Sequence, residues 1–196
     1  MPRIIAPRLI AFLRAINVGG HIVTMAQLRQ EFEALGLKDV ETFIASGNVI
    51  FSARQADHAA LEKKIEARLR ASLGYDVAAF IRTDADVAAV ATHLAFKASL
   101  VEGAGAFCVG FLNAPLDAAA TRVLMAFKND VDDFHTNGRE VYWLCKVGQS
   151  DSTFSNARFE KALKIRCTFR GINTVVRLAA KYPPPATTRA SSTPRQ

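Results

Sequence analysis

The chain has 196 residues, half of them hydrophobic and 22% charged, the profile of a folded globular protein rather than a disordered or fibrous one. No apolar run reaches the roughly 18 residues that a membrane span needs, and Cys108, Cys145 and Cys167 show neither disulfide nor metal-site spacing. The formal charge is +7; Arg189 and Arg195 in an acid-free tail account for 2 of this, leaving +5 for the body, which favours anionic partners but forms no basic arm.

The opening MPRIIAPRLIAFLRAI is basic and then apolar, but Pro7, Arg8 and Arg14 break the run, so it reads as a short leader into a core strand at residues 8–15. Met25, Leu28, Phe32 and Leu35 recur at helix spacing, with Thr24 placed to cap the start and Gly36 to end it. Strands are expected at 40–45 and 49–53, joined by Ser46-Gly47-Asn48, whose glycine and asparagine tolerate the positive φ of a tight hairpin. A second helix at 57–73 carries Leu61, Ile65, Leu69 and Leu73 as its apolar stripe, and a strand at 76–82 follows.

This order, β-α-β-β-α-β, is the ferredoxin-like plan. It recurs with strands at 106–112, 131–136, 140–146 and 165–169 and helices at 117–128 and 155–163, the hairpin turning on Asn137-Gly138. The expected fold class is therefore α+β, with two ferredoxin-like (βαββαβ) subdomains. The first half is expected over 1–83, a connecting helix (85–94) and a flexible loop (101–105) within 84–105, the second half with a final helix (173–180) over 106–182, and a disordered tail over 183–196.

In such a sheet the first and second strands run parallel, with the third between them and antiparallel to both. The end of the first strand and the turn between the second and third then share an edge. This places Arg14, Asn17, Gly19 and Gly20 beside Ser46, Gly47 and Asn48, although they are distant in sequence. Glycines in a loop before a helix expose backbone N–H groups to an anion. Arg14 adds a donor fork, and Asn17, Ser46 and Asn48 offer orienting hydrogen bonds. The plainer account has Gly19 and Gly20 permitting a bend, Asn17 bonding its own backbone, and Ser46 and Asn48 shaping the hairpin. Neither common phosphate-loop motif is matched.

Four segments carry a recognisable pattern: R-A-I-N-V-G-G at 14–20, M-x-x-L-R at 25–29, T-F-I-A-S-G-N-V-I-F at 42–51 and T-F-R-G-I-N-T-V at 168–175. Together they resemble the bacterial family called domain of unknown function 1697, in which R-G-I-N-V-G-G, T-Y-I-x-S-G-N-V-x-F and T-x-R-N-W-N-T-V are usual. Ala15 stands here for a glycine, and Gly171-Ile172 for an Asn-Trp pair. The resemblance implies a compact, cytoplasmic α+β protein with ferredoxin-like subdomains. It implies no activity, substrate or cofactor.

Thr168, Arg170, Asn173 and Thr174 straddle the expected start of the last helix, where free N–H groups attract anions. Asn173 or Thr174 as an ordinary cap is the alternative. Asp132 and Asp133 are neighbours on a strand and face opposite sides, so they are no catalytic pair.

The leading expectation is a non-catalytic cytoplasmic binder of an anionic ligand, a phosphorylated metabolite or nucleic acid. Arg14, Asn17, Gly19, Gly20, Ser46, Gly47, Asn48, Thr168, Arg170, Asn173 and Thr174 would be its contacts, with no metal, cofactor or membrane partner. One rival is a small-molecule enzyme using Arg14 as electrophile and His21 or Ser46 in proton transfer. Another is an interaction module that pairs through a strand edge. The oligomeric state is left open.

Overall fold

The structure, a computed structural model, describes residues 6–17, 20–44, 47–54 and 56–185. The first half runs β1 (Arg8–Arg14), α1 (Met25–Glu33), β2 (Lys38–Phe43), β3 (Asn48–Ser52), α2 (His58–Leu73) and β4 (Ala78–Thr83). Two connecting helices follow, α3 (Asp84–Thr92) and α4 (Ala98–Glu102). The second half repeats the plan as β5 (Ala106–Phe111), α5 (Ala118–Met125), β6 (Asp132–Asn137), β7 (Glu140–Cys145), α6 (Asn156–Leu163) and β8 (Thr168–Gly171), and α7 (Ile172–Lys181) closes the fold. The two four-stranded sheets have orders β2-β3-β1-β4 and β6-β7-β5-β8, with every neighbour antiparallel.

The central strands of each sheet are buried on both faces, whereas the edge strand β2 is not. On β1, Leu9, Ala11 and Leu13 point to α1 and α2, meeting Leu28, Phe32, Leu61, Ile65 and Leu69. Ile10 and Phe12 point the other way, to the second sheet. This is why RLIAFLR reads as a continuous apolar run rather than an alternation. Trp143, Cys145 and Cys167 face Leu124 of α5 and Phe159 of α6 on the far side of the second sheet. Between the sheets lie Ile10, Phe12, Phe80, Val109, Phe111 and Tyr142, walled by Val87 and Val90 of α3 and Val175 and Leu178 of α7. The layers are therefore helix, sheet, sheet, helix, with α3 and α7 packed together at the side.

The helix starts follow their caps. Thr24, Asp57, Asp117 and Ser155 each accept a hydrogen bond from the first turn they open. Thr83 and Asp86 form a reciprocal capping box at α3.

Several boundaries differ from expectation, and four of the differences bear on the site or the connection between the halves. Residues 98–102 form α4, so the Gly-rich segment is only partly loop. β2 begins at Lys38, two residues early, because a bulge between Lys38 and Glu41, with Asp39 at φ +52°, lets the strand continue. Asn48 is the first residue of β3, not part of the turn. β8 spans Thr168–Gly171, so Thr168 and Arg170 are strand residues, and the helix after them is capped by Gly171 with no side-chain bond from Asn173 or Thr174. Among the described residues, no helix is long and apolar enough to cross a membrane. The expected tail falls almost entirely on residues outside those described.

Candidate functional site

The end of β1 and the start of β3 meet as the strand pairing requires. Phe12 sits opposite Asn48, and the Leu13 N–H donates to the Gly47 carbonyl at 2.8 Å. Gly47 is buried at φ +72°, and a Cβ there would lie 2.7 Å from Ile16 Cγ2. Glycine is needed at Gly47 for both reasons. Gly20, at φ +85°, has open space around it, so only its backbone conformation calls for glycine. Gly19 and Ser46 lie outside the described residues.

Arg170 reaches this junction from the other half. Its Nε donates to Asn48 Oδ1 at 2.8 Å, one terminal nitrogen donates to Thr168 Oγ1 at 2.7 Å, and the other donates to the Leu13 carbonyl at 2.7 Å. Thr168 Oγ1 donates in turn to the same carbonyl at 3.4 Å. Burial pushes the Arg170 guanidinium down to about 10. Asn48 is fully buried and donates from Nδ2 to the Phe43 carbonyl at 3.0 Å. Asn48, Thr168 and Arg170 therefore knit the two halves together at the Leu13 carbonyl, while Gly47 holds the hairpin to β1 within the first half.

Arg14 stands at the rim of this seam, its side chain one third exposed, and ion-pairs with Glu160 of α6. Glu160 also accepts from the Cys167 N–H at 2.7 Å. The Arg14 Nε is buried without a partner. The Cys167 thiol is pushed well up, first by burial and then by Glu160, against the pull of Arg14, Arg82 and Arg170. Asn17 is exposed and its Oδ1 accepts from the Val23 N–H at 2.9 Å, tying the loop to the approach of α1. His21 is exposed and stacks on Tyr75 at 4.1 Å, while the Tyr75 hydroxyl donates to the Ile16 carbonyl at 2.7 Å. Asn173 and Thr174 sit on the first turn of α7, beyond Gly171, which pairs with Cys108. From Thr168 to that point the strand advances about 10 Å, so they stand apart from the cluster at Leu13.

The seam has a second end that the sequence reading missed. Arg82, only 1% exposed, donates from Nε to Glu140 Oε1 at 2.6 Å and from a terminal nitrogen to the Leu112 carbonyl at 2.8 Å. The correspondence is position by position. Arg82 pairs with Ile10 on β1 and Arg170 with Val109 on β5. Glu140 opens β7 opposite Phe111, as Asn48 opens β3 opposite Phe12. Arg82 lies over the Phe111 ring and Arg170 over Phe12, and these two rings stack at 3.9 Å. Each half thus sends an arginine from its last strand into the other. The available signal was a charged residue inside the apolar run AAFIRT.

The three cysteines are free and buried, and among the described residues no cluster of three or more His, Cys, Asp or Glu could hold a metal ion.

No curated protein matches this chain. Among solved structures it is similar to the conserved bacterial protein SP0830 from Streptococcus pneumoniae, with a TM-score of 0.66 and 22% identity, over 90% of this chain and 98% of that one. At this identity the likeness is one of fold. A family model described as "Protein of unknown function (DUF1697)" matches residues 7–142, most of the chain, and the chain belongs to that family.

Proposed function

We propose that the chain is a non-catalytic binding protein for an anionic ligand, a phosphorylated metabolite or nucleic acid, taken up at the edge shared by the β1–α1 loop and the β2–β3 hairpin. Arg14 carries this reading: it is partly exposed at the rim, and among the described residues its Nε has no partner and only Glu160 balances it. Gly20 and Asn17 lie beside it on the exposed loop. Asn173 and Thr174 would supply a separate helix-terminal contact. Within this reading Asn48, Thr168 and Arg170 act from behind, fixing the strand end from which Arg14 projects. The net charge of +7 adds a general attraction.

Titration with pyrophosphate and with a short single-stranded oligonucleotide, read by amide shifts, tests the proposal. Binding should perturb Arg14 and Gly20, weaken in Arg14→Gln and strengthen in Glu160→Gln, where the competing carboxylate is gone. Oligonucleotide affinity should fall steeply with salt. No saturable shift at these residues, or equal affinities in both variants, would overturn it.

A second reading rests on Ile22, 86% exposed, and Ile44, 39% exposed, which stand at the same loop and hairpin. Large exposed apolar side chains suit a protein-interaction module. Sedimentation of the wild type against Ile22→Ser separates the two, since only the interaction reading needs the apolar group.

A further inference from the structure

A different set of polar groups converges where the inter-sheet layer opens beside α3 and α4. His135 on β6 and Tyr142 on β7 are directly opposite partners and face the inter-sheet core. His93, which caps the end of α3, lies over both: its ring is 4.9 Å from that of Tyr142 and 5.3 Å from that of His135. Asn137 Nδ2 lies 3.4 Å from His93 Nδ1. An amide NH2 only donates, so in this arrangement Nδ1 is the acceptor, and the neutral ring that fits it has its N–H at Nε2. That Nε2 is buried with no partner.

The Tyr142 hydroxyl is also buried without a partner; Asn137 is near enough to act on it but makes no hydrogen bond of sound geometry. Burial holds this phenol up to about 12, so it stays a protonated donor. Two buried polar atoms of neighbouring rings thus lack a partner among the described residues, a costly arrangement that packing of the rings alone does not relieve. His93 lines an open cavity of about 520 Å³ together with Phe96, Phe107, Leu94 and Val101; Tyr142 is not in its wall, but its ring lies 4.9 Å from that of His93. The size and apolar walls of the cavity suit a small molecule.

We propose that this is a binding site for a small apolar carbonyl compound. The body lies between Phe96 and Phe107, and the neutral carbonyl oxygen accepts from His93 Nε2 and the Tyr142 hydroxyl. A carboxylate suits the site less well, because Glu102 lines the cavity and Glu140 acts on Tyr142. The site lies in the second half and does not depend on the Arg14 edge.

The test uses the full chain with acetophenone, ethylbenzene and benzoate, followed by shifts of aromatic and histidine ring signals. Acetophenone should saturate at Phe96, Phe107 and His93, and ethylbenzene, which has the body without the acceptor, should bind at least about fivefold more weakly, the worth of one neutral hydrogen bond. Tyr142→Phe keeps the packing and should abolish that preference without lowering the melting temperature. Benzoate should bind more weakly than acetophenone. No saturable binding, shifts at other residues, or an unchanged preference in Tyr142→Phe would overturn the site. Tighter binding of benzoate would overturn the assignment of a neutral head.

Discussion

Replacing Arg82 by methionine keeps the aliphatic stem and removes the guanidinium that joins the two halves. Glu140, 9% exposed, would then be a buried carboxylate without its cation, a situation that costs about 3–5 kcal/mol. The carbonyls of Leu112 and Arg139 lose their side-chain donor as well. A cavity of about 250 Å³ bordered by Arg82, Arg139 and Glu140 gives water a way to them, so their share is small, about 1 kcal/mol. The expected loss is about 4–6 kcal/mol, a large part of the stability of an ordinary domain. It corresponds to a fall in melting temperature of about 10–20 °C.

Urea unfolding followed through Trp143, the single tryptophan, measures this directly. Glu140→Gln strands the buried Arg82 cation instead, but it leaves an amide oxygen for Nε and the Ile81, Leu112 and Arg139 carbonyls for the other nitrogens, so it should cost less. Arg82→Met combined with Glu140→Leu should recover much of the loss, since apolar side chains replace a buried pair with little penalty. A loss below about 1 kcal/mol in Arg82→Met, or a double variant no more stable than the single one, would show that this pair does not hold the seam.

Gly47→Ala should destabilise by about 2–4 kcal/mol, from left-handed backbone strain plus the Cβ contact with Ile16, whereas Gly20→Ala pays only the strain, about 1 kcal/mol; thermal melts of the two compare them. Burial, and then His93, holds the His135 imidazole below its ordinary value of 6.5. The unfolded chain therefore takes up that proton first, so stability present above about pH 6.5 is lost as pH falls through the folded value; His135→Gln should flatten the melting profile between pH 8 and 5. Burial pushes the Cys108 thiol up to about 11 and raises Cys145 and Cys167. All three should be inert to a thiol reagent at pH 8 in the native protein and titrate fully in urea, and fast labelling of any one in the folded state would contradict the burial.

Much of the architecture was legible because local chemistry determines it. Thr24, Asp57 and Ser155 mark helix starts by capping them, and Gly138 marks a hairpin by tolerating its φ of +58°, although the turn is Gly138-Arg139 and Asn137 is the last residue of β6, paired with Glu140. The meeting of Leu13 and Gly47 followed from strand order alone. The seam was not legible, because it depends on how two separately formed sheets face each other. Asn48 read as a turn residue because it follows glycine; only the register with Phe12 shows it to be a strand residue turned inward. Arg170 read as part of a helix start because β8 is short, and the side chain that binds Leu13 is on the strand itself. Helix α4 was hidden by the glycines that follow it. His93 and Tyr142, far apart in the chain and without motif spacing, come together only through the packing of α3 against the second sheet.

The stacked Phe12 and Phe111 rings lie at the centre of contacts made in both directions, as they are between identical subunits sharing an isologous interface. In a dimer of that kind every substitution appears twice, and a charge introduced at one end is imposed on the other. Covalent tandem linkage lifts this restriction. Here one guanidinium faces an acid, Glu140, while its counterpart faces an amide, Asn48, so the two poles of one interface hold different electrostatic characters within a single polypeptide.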